Sequence, residues 1–135
     1  MVFTNGVFDL LHVGHITLLE HARMLGGSLI VAINSDASVR SLAKGTDRPI
    51  VPEHDRARIV AALACVDCVV IFQQSTPIDV IEALEPEVLV KGGDYRADAI
   101  VGAELVRRRG GRVAIVPLVP EQSTTRFLER LRASP

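Results

Sequence analysis

Two histidines stand three residues apart near the amino end, in Thr4-Asn5-Gly6-Val7-Phe8-Asp9-Leu10-Leu11-His12-Val13-Gly14-His15. On a helix-like turn that spacing points both imidazoles the same way. Gly14 between them removes a side chain where a phosphate would approach the backbone. Two imidazoles beside helix N–H groups suit a phosphoryl centre that gains negative charge as it reacts. The plain alternative puts one histidine at a helix cap and the other on the surface, since a bare H-x-G-H arises easily by chance. Asp9 is placed to hold a histidine tautomer, orient the turn or touch magnesium.

Other residues could join that chemistry. Lys44, on a Gly-containing loop beside Arg48, could swing onto the β- and γ-phosphates of a nucleotide; alone it reads as a solvated lysine. Lys91-Gly92-Gly93-Asp94 lets backbone come close to a flat ligand such as a base, with Lys91 and Asp94 adding charge for substrate or magnesium; a tight turn with an ion pair reads equally well. Ser123-Thr124-Thr125 is a hydroxyl run at a helix start, where capping and phosphate binding use the same N–H groups. Arg126 and Arg130 follow one turn apart. Asp36, Asp67 and Arg56 are weaker candidates: Arg56 either reaches a sugar phosphate or lies on a helix surface. His21 and His54 read as solvated. Cys65 and Cys68 form a C-x-x-C at a helix end rather than a helix start, which argues for two reduced core thiols rather than a redox pair. Two cysteines alone do not complete a zinc site.

These groups need a frame. Val2 and Phe3 read as a short strand broken by Asn5-Gly6, and a helix begins at Gly14-His15, with Ile16, Leu19, Ala22 and Leu25 near one face. A strand turning tightly into a helix leaves backbone N–H groups and the positive dipole end at the mouth of the turn. Ser28–Asn34 is an apolar run, the mark of a strand buried on both faces, with Asn34-Ser35-Asp36 at its ligand-collecting end. The reading continues with a short helix over 37–42, a loop over 43–49, and a helix opened by Pro52 and running to Ala64. Strands follow at 68–72, 88–90 and 112–117. Helices fill the gaps: one capped by Ser75-Thr76-Pro77 and running to about Leu84, one over 99–109, and a last one from Arg126 to about Arg132. Strict alternation predicts an α/β, Rossmann-like, doubly wound five-stranded parallel sheet with helices on both faces.

At 135 residues the chain fits a single domain over 1–135. With 48% hydrophobic and 23% charged residues it can bury a real core. A formal charge of −1 gives no basic bias towards nucleic acid or an acidic membrane, so a small substrate is the better expectation. No apolar run approaches a membrane span, and Met1 leads into a strand without a charged leader. The expectation is a cytoplasmic protein. There is no G-x-x-x-x-G-K-[ST] and no G-x-G-x-x-G to compete for the phosphate role.

The segment Asn5-Gly-Val-Phe-Asp-Leu-Leu-His-Val-Gly-His15 resembles the signature of the cytidylyltransferase-like nucleotidyltransferases. The likeness continues in order through Asn34-Ser-Asp-Ala-Ser-Val39, Asp47-Arg-Pro49, Ala61-Ala-Leu63, Val66-Asp67, Thr76-Pro77, Val90-Lys-Gly-Gly-Asp-Tyr95 and Ser123-Thr-Thr125. It is nearest to the D-glycero-β-D-manno-heptose 1-phosphate adenylyltransferases. The resemblance implies transfer of AMP from ATP to the heptose phosphate, with Mg²⁺, giving ADP-heptose and pyrophosphate. It implies that His12 and His15 stabilise the α-phosphate transition state, with Lys44 gripping the β- and γ-phosphates. Thr4, Asn5, Gly6, Phe8 and Gly14 would line the nucleotide site. Lys91, Gly92 and Asp94 would sit near base and ribose, and Ser123, Thr124 and Thr125 would form a second phosphate-binding helix start. Asp9, Asp36, Arg56 and Arg126 remain for the substrate. Such enzymes are commonly homodimers, and many are fused behind a sugar kinase. Val119-Pro120-Glu121-Gln122 replaces the Arg-Thr-Glu-Gly that leads into the Ser-Thr motif of related cytidylyltransferases, which argues against a close glycerol-phosphate cytidylyltransferase. The alternatives are transfer from CTP or ATP to another phosphorylated alcohol such as glycerol 3-phosphate, and a regulatory module that binds nucleotide without turnover.

Overall fold

The computed structural model describes residues 1–42, 47–93, 96, 99–117 and 124–133, with the backbone alone over 124–128. Five strands, β1 (Val2–Gly6), β2 (Leu29–Asn34), β3 (Cys68–Phe72), β4 (Val88–Gly92) and β5 (Arg112–Val116), form one sheet in the order β3-β2-β1-β4-β5. All pairs are parallel. The helices are α1 (Val13–Arg23), α2 (Asp36–Ser41), α3 (Glu53–Ala61), α4 (Ile78–Leu84), α5 (Ala103–Arg108) and α6 (Thr124–Ala133).

Strand periodicity divides the core in two. Val2, Leu29, Val31, Ile33, Val88 and Val90 face Leu18, Leu19 and Ala22 of α1 and Val60 of α3. Phe3, Ala32, Phe72 and Leu89 face Ile81 of α4 and Val106 of α5 on the opposite side. Helices on both faces are thus what the alternating apolar runs required. At seven and six residues, α4 and α5 are too short to persist on intrinsic propensity. Burial of Ile81 and Val106, about 2 kcal/mol each, holds them instead.

Several boundaries differ from the sequence reading. Helix α5 starts at Ala103, not Ala99, because Gly102 is left-handed (φ 87°) and a Cβ there would lie 2.6 Å from Ile81 Cδ1. Helix α3 stops at Ala61, and hydrogen-bonded turns such as Leu63 N–H to Val60 O carry the chain onward. Helix α4 has Pro77 at its N-cap and no side-chain cap, so Ser75 and Thr76 do not serve as caps. Thr124 and Thr125 lie inside the first turn of α6 rather than before it. The thiols are both free, but Cys68 is exposed on the edge strand β3 and Cys65 half-buried, so they are not a core pair. His21 and His54 are exposed, as read.

The sheet opens at its centre. β1 pairs with β2 over its whole length, from Val2↔Leu29 to Gly6↔Ile33. With β4 it pairs only at Val2↔Val88 and Phe3↔Leu89. Beyond Phe3 these two strands part, and the buried Thr4 hydroxyl donates to Val90 O (2.9 Å) across the widening gap. Strand order reverses here, the point at which parallel sheets collect ligands.

Candidate active site

The gap becomes a cleft of about 320 Å³ at the carboxyl ends of the strands. Asn5, Gly6 and Val7 leave β1 along one wall, Asn34 ends β2, and Lys91 stands one residue before the end of β4. Ser75 and Thr76, read from sequence as caps, line it too. Two hydroxyls just before Pro77, and Thr76-Pro77 in the family likeness, were the sequence signals for that pair.

From the cleft the chain turns into α1. Phe8 takes a left-handed conformation (φ 52°), uncommon for a residue of this size. Its ring lies over Gly6, where a Cβ would meet Phe8 Cε2 at 2.9 Å. Glycine is needed there for the aromatic ring as well as for the cleft. The Phe8 ring also meets His15, centroid to centroid 5.2 Å. Phe8 itself is buried.

His12 and His15 form a reciprocal cap of α1. His12 Nδ1 accepts from Gly14 N–H (3.1 Å), and His15 Nδ1 accepts from the His12 N–H (3.2 Å). This is the geometry of a Ser-x-x-Glu capping box built from imidazoles. The capping role and the paired arrangement therefore coexist, and neither ring is a surface residue. Their centroids are 3.9 Å apart. The first-turn N–H groups of Gly14 and His15 are already paired, the latter to His12 O (3.0 Å). The donors this turn offers a ligand are thus ring edges more than backbone amides.

An N–H donor facing each Nδ1 fixes the neutral tautomer, with the proton on Nε2. Burial lowers the His12 pKa from its ordinary value. Burial and then the neighbouring His12 charge lower that of His15 to about 4. Both shifts favour the neutral ring, with its proton on Nε2.

Behind the turn lies a charged anchor. The Asp9 carboxylate, 3% exposed, accepts from the N–H of Ile50 (2.9 Å) and Val51 (2.9 Å), with Arg48 3.7 Å away. Arg56, read as a ligand contact or a surface residue, is 1% exposed. Its guanidinium donates to Val7 O (2.7 Å), Asn34 O (2.8 Å) and Val51 O (2.8 Å), and pairs with Asp36 Oδ1 (2.8 Å). Asp9 and Arg56 thus serve the protein's own backbone and Asp36 pairs with the Arg56 guanidinium, so neither acid is an uncommitted metal ligand. Among the described residues no three His, Cys, Asp or Glu side chains gather as a metal cage.

Of the residues singled out from sequence, the structure brings Asn5, Gly6, Phe8, His12, Gly14, His15 and Lys91 to one edge of the sheet. Gly92 ends β4 beside them, and Thr4 lies beneath, tied to β4. Lys44, Asp94 and Ser123 lie outside the described residues, as do the side chains of Thr124, Thr125 and Arg126.

The sequence profile of the cytidylyltransferase-like family matches residues 3–128. The chain belongs to the cytidylyltransferase-like family. It is accordingly a nucleotidyltransferase, and its five-stranded parallel α/β sheet is that of a cytidylyltransferase-like domain. Among its relatives, the bifunctional protein HldE of Magnetococcus marinus is 59% identical over 133 residues, covering 98% of this chain and 27% of that protein. The bifunctional protein HldE of Koribacter versatilis is 61% identical over 130 residues, covering 96% and 26%. The chain spans about a quarter of the length of the curated relatives it matches. The crystal structure of the lipopolysaccharide core biosynthesis protein from Thermoplasma volcanium superposes with a TM-score of 0.69 at 29% identity, over 87% of this chain and 94% of that one. Pantothenate synthetase from Thermus thermophilus shares the cytidylyltransferase-like fold alone, with a TM-score of 0.63 at 16% identity over 94% of this chain and 60% of that one. No helix among the described residues is long and apolar enough to cross a membrane.

Proposed function

We propose that the chain is an adenylyltransferase that transfers AMP from ATP to D-glycero-β-D-manno-heptose 1-phosphate, giving ADP-heptose and pyrophosphate. The observation that carries the substrate reading is the 51–61% identity to HldE proteins over nearly the whole chain. In this reading residues 1–135 are one cytoplasmic nucleotidyltransferase domain, working as a homodimer and either fused to a sugar kinase or acting after one. The acceptor's phosphate oxygen attacks the α-phosphorus in line, the new P–O bond forms, and the bond to the leaving pyrophosphate breaks. A phosphate monoester is already an adequate nucleophile, so the protein needs no strong base; positioning and charge neutralisation supply the catalysis.

The neutral tautomers support the histidine roles. Each Nε2–H would donate to an α-phosphate oxygen, and such bonds strengthen as charge builds there. The bound triphosphate would itself raise both histidine pKa values, since a nearby anion favours the charged ring. Lys44 would hold the β- and γ-phosphates. Lys91, Gly92 and Asp94 would meet base and ribose, and the start of α6, with Ser123, Thr124, Thr125 and Arg126, would bind phosphate. Mg²⁺ would arrive on the ATP phosphates, the mode it commonly adopts, because Asp9 and Asp36 are committed elsewhere.

The test is pyrophosphate release with Mg²⁺, ATP or CTP, and phosphorylated acceptors including the β-heptose 1-phosphate and glycerol 3-phosphate. Release with ATP and the heptose phosphate alone is the expected outcome. Release with CTP or another acceptor overturns the substrate assignment, and ATP binding without release from any acceptor points to a regulatory module.

A further inference from the structure

Phe8 is held in its left-handed conformation by clamps on both sides. The preceding carbonyl, Val7 O, is taken by Arg56 Nη1. The following side chain, Asp9, is taken by the N–H groups of Ile50 and Val51. Arg56 also grips Val51 O, so residues 50–51 are fastened to the turn through both N–H and C=O. A strained residue persists only where its surroundings over-determine it, and here they do so through two buried charged groups. What the conformation achieves is the placement of one ring, against both Gly6 and His15.

We propose that Arg56 and Asp9 are positioning residues for the transfer reaction. By clamping the chain on either side of Phe8 they fix the ring that backs His15, and so hold the His12–His15 pair in its reciprocal cap. The same clamps tie residues 50–51 to the histidine turn. The inference rests on the histidine roles proposed above. Arg56 is suited to this as lysine is not: one planar fork reaches three carbonyls and a carboxylate, whereas an ammonium is a single point charge.

The experiment compares Arg56→Lys and Asp9→Asn with the native chain by thermal melting, by ¹⁵N side-chain spectra of histidine-labelled protein, and by steady-state pyrophosphate release. The native spectra are expected to show both rings as the Nε2–H tautomer. In folded Arg56→Lys, kcat is expected to fall by on the order of 10²-fold, as for a misplacement of about 1 Å. KM for ATP should change little, and the histidine signals should move to mixed tautomers. Should the lysine variant fail to fold, Asp9→Asn, isosteric and one acceptor short, is expected to give the same histidine signature. Unchanged histidine signals in a folded variant, or a loss of kcat that merely follows the unfolded fraction, would overturn the proposal. If the native chain releases no pyrophosphate with any acceptor, the functional reading fails, while the tautomer comparison still decides whether the clamps position the pair.

Discussion

The histidine cap allows stability and turnover to be separated at one residue. His15→Ala removes the acceptor for the His12 N–H and the ring contacts with Phe8 and His12. A lost cap bond costs about 1 kcal/mol, and a lost aromatic contact about another 1 kcal/mol. The sum of about 2 kcal/mol corresponds to a fall of roughly 6–10 °C in Tm for a chain of this size. Domains of this kind commonly have at least about 5 kcal/mol of stability, so fewer than about 1% of molecules would unfold at 25 °C. Turnover should nevertheless drop about 10²- to 10³-fold, the usual consequence of losing one preorganised donor to a transition-state oxygen. His15→Gln sharpens the comparison. Its side-chain carbonyl, three residues into the helix, accepts the His12 N–H as in an ordinary capping box. Most of the Tm should return, and most of the turnover should not. The assay is initial-rate pyrophosphate release beside thermal melting of each variant. Turnover within tenfold of native in either variant, or a loss equal to the unfolded fraction, would refute the assignment of His15 to the transition state.

Three further outcomes are expected. The folded His15 pKa of about 4 lies below the ordinary 6.5, so between these values the unfolded chain binds more protons and stability rises with pH. That contribution is complete above about pH 6.5 and is lost as pH falls towards 4; urea midpoints at several pH values should show the slope in the native chain and less of it in His15→Gln. Gly102→Ala should destabilise by about 1–3 kcal/mol, from the left-handed backbone and the approach to Ile81 Cδ1; urea denaturation measures it. Leu19→Ala, at a fully buried position of α1, should cost about 2–5 kcal/mol by the same assay.

Much of this architecture was legible in the residues. The run Ser28–Asn34 and the alternation of strand and helix signals specify a parallel sheet covered on both sides, and the turn before α1 announced itself by its two histidines. What escaped was whatever depends on long-range packing. Nothing local distinguishes Arg56 from its neighbour Arg58 on the same helix; one is fully buried because carbonyls from two distant segments, at Val7 and Asn34, converge on it, and the other is exposed. Gly102 looked like an interior helix residue because its conformation is dictated by Ile81, 21 positions away. Ser75 and Thr76 have the local chemistry of caps, but the cleft that opens where β1 and β4 part takes them into its wall.

The narrow pairing of β1 with β4 has a dynamic consequence. Two register pairs, one threonine hydroxyl and the bonds of Met1 to Glu87 and Val88 tie a three-stranded half, β3-β2-β1, to a two-stranded half, β4-β5. Such a seam is where native-state hydrogen exchange finds a boundary between cooperative units. A ligand lying in the cleft would touch both halves and act as a staple across the seam, so slowed exchange should extend into β5, a strand with no residue in the cleft wall. Substrate binding would then be felt as a joining of the two halves rather than as the closing of a loop.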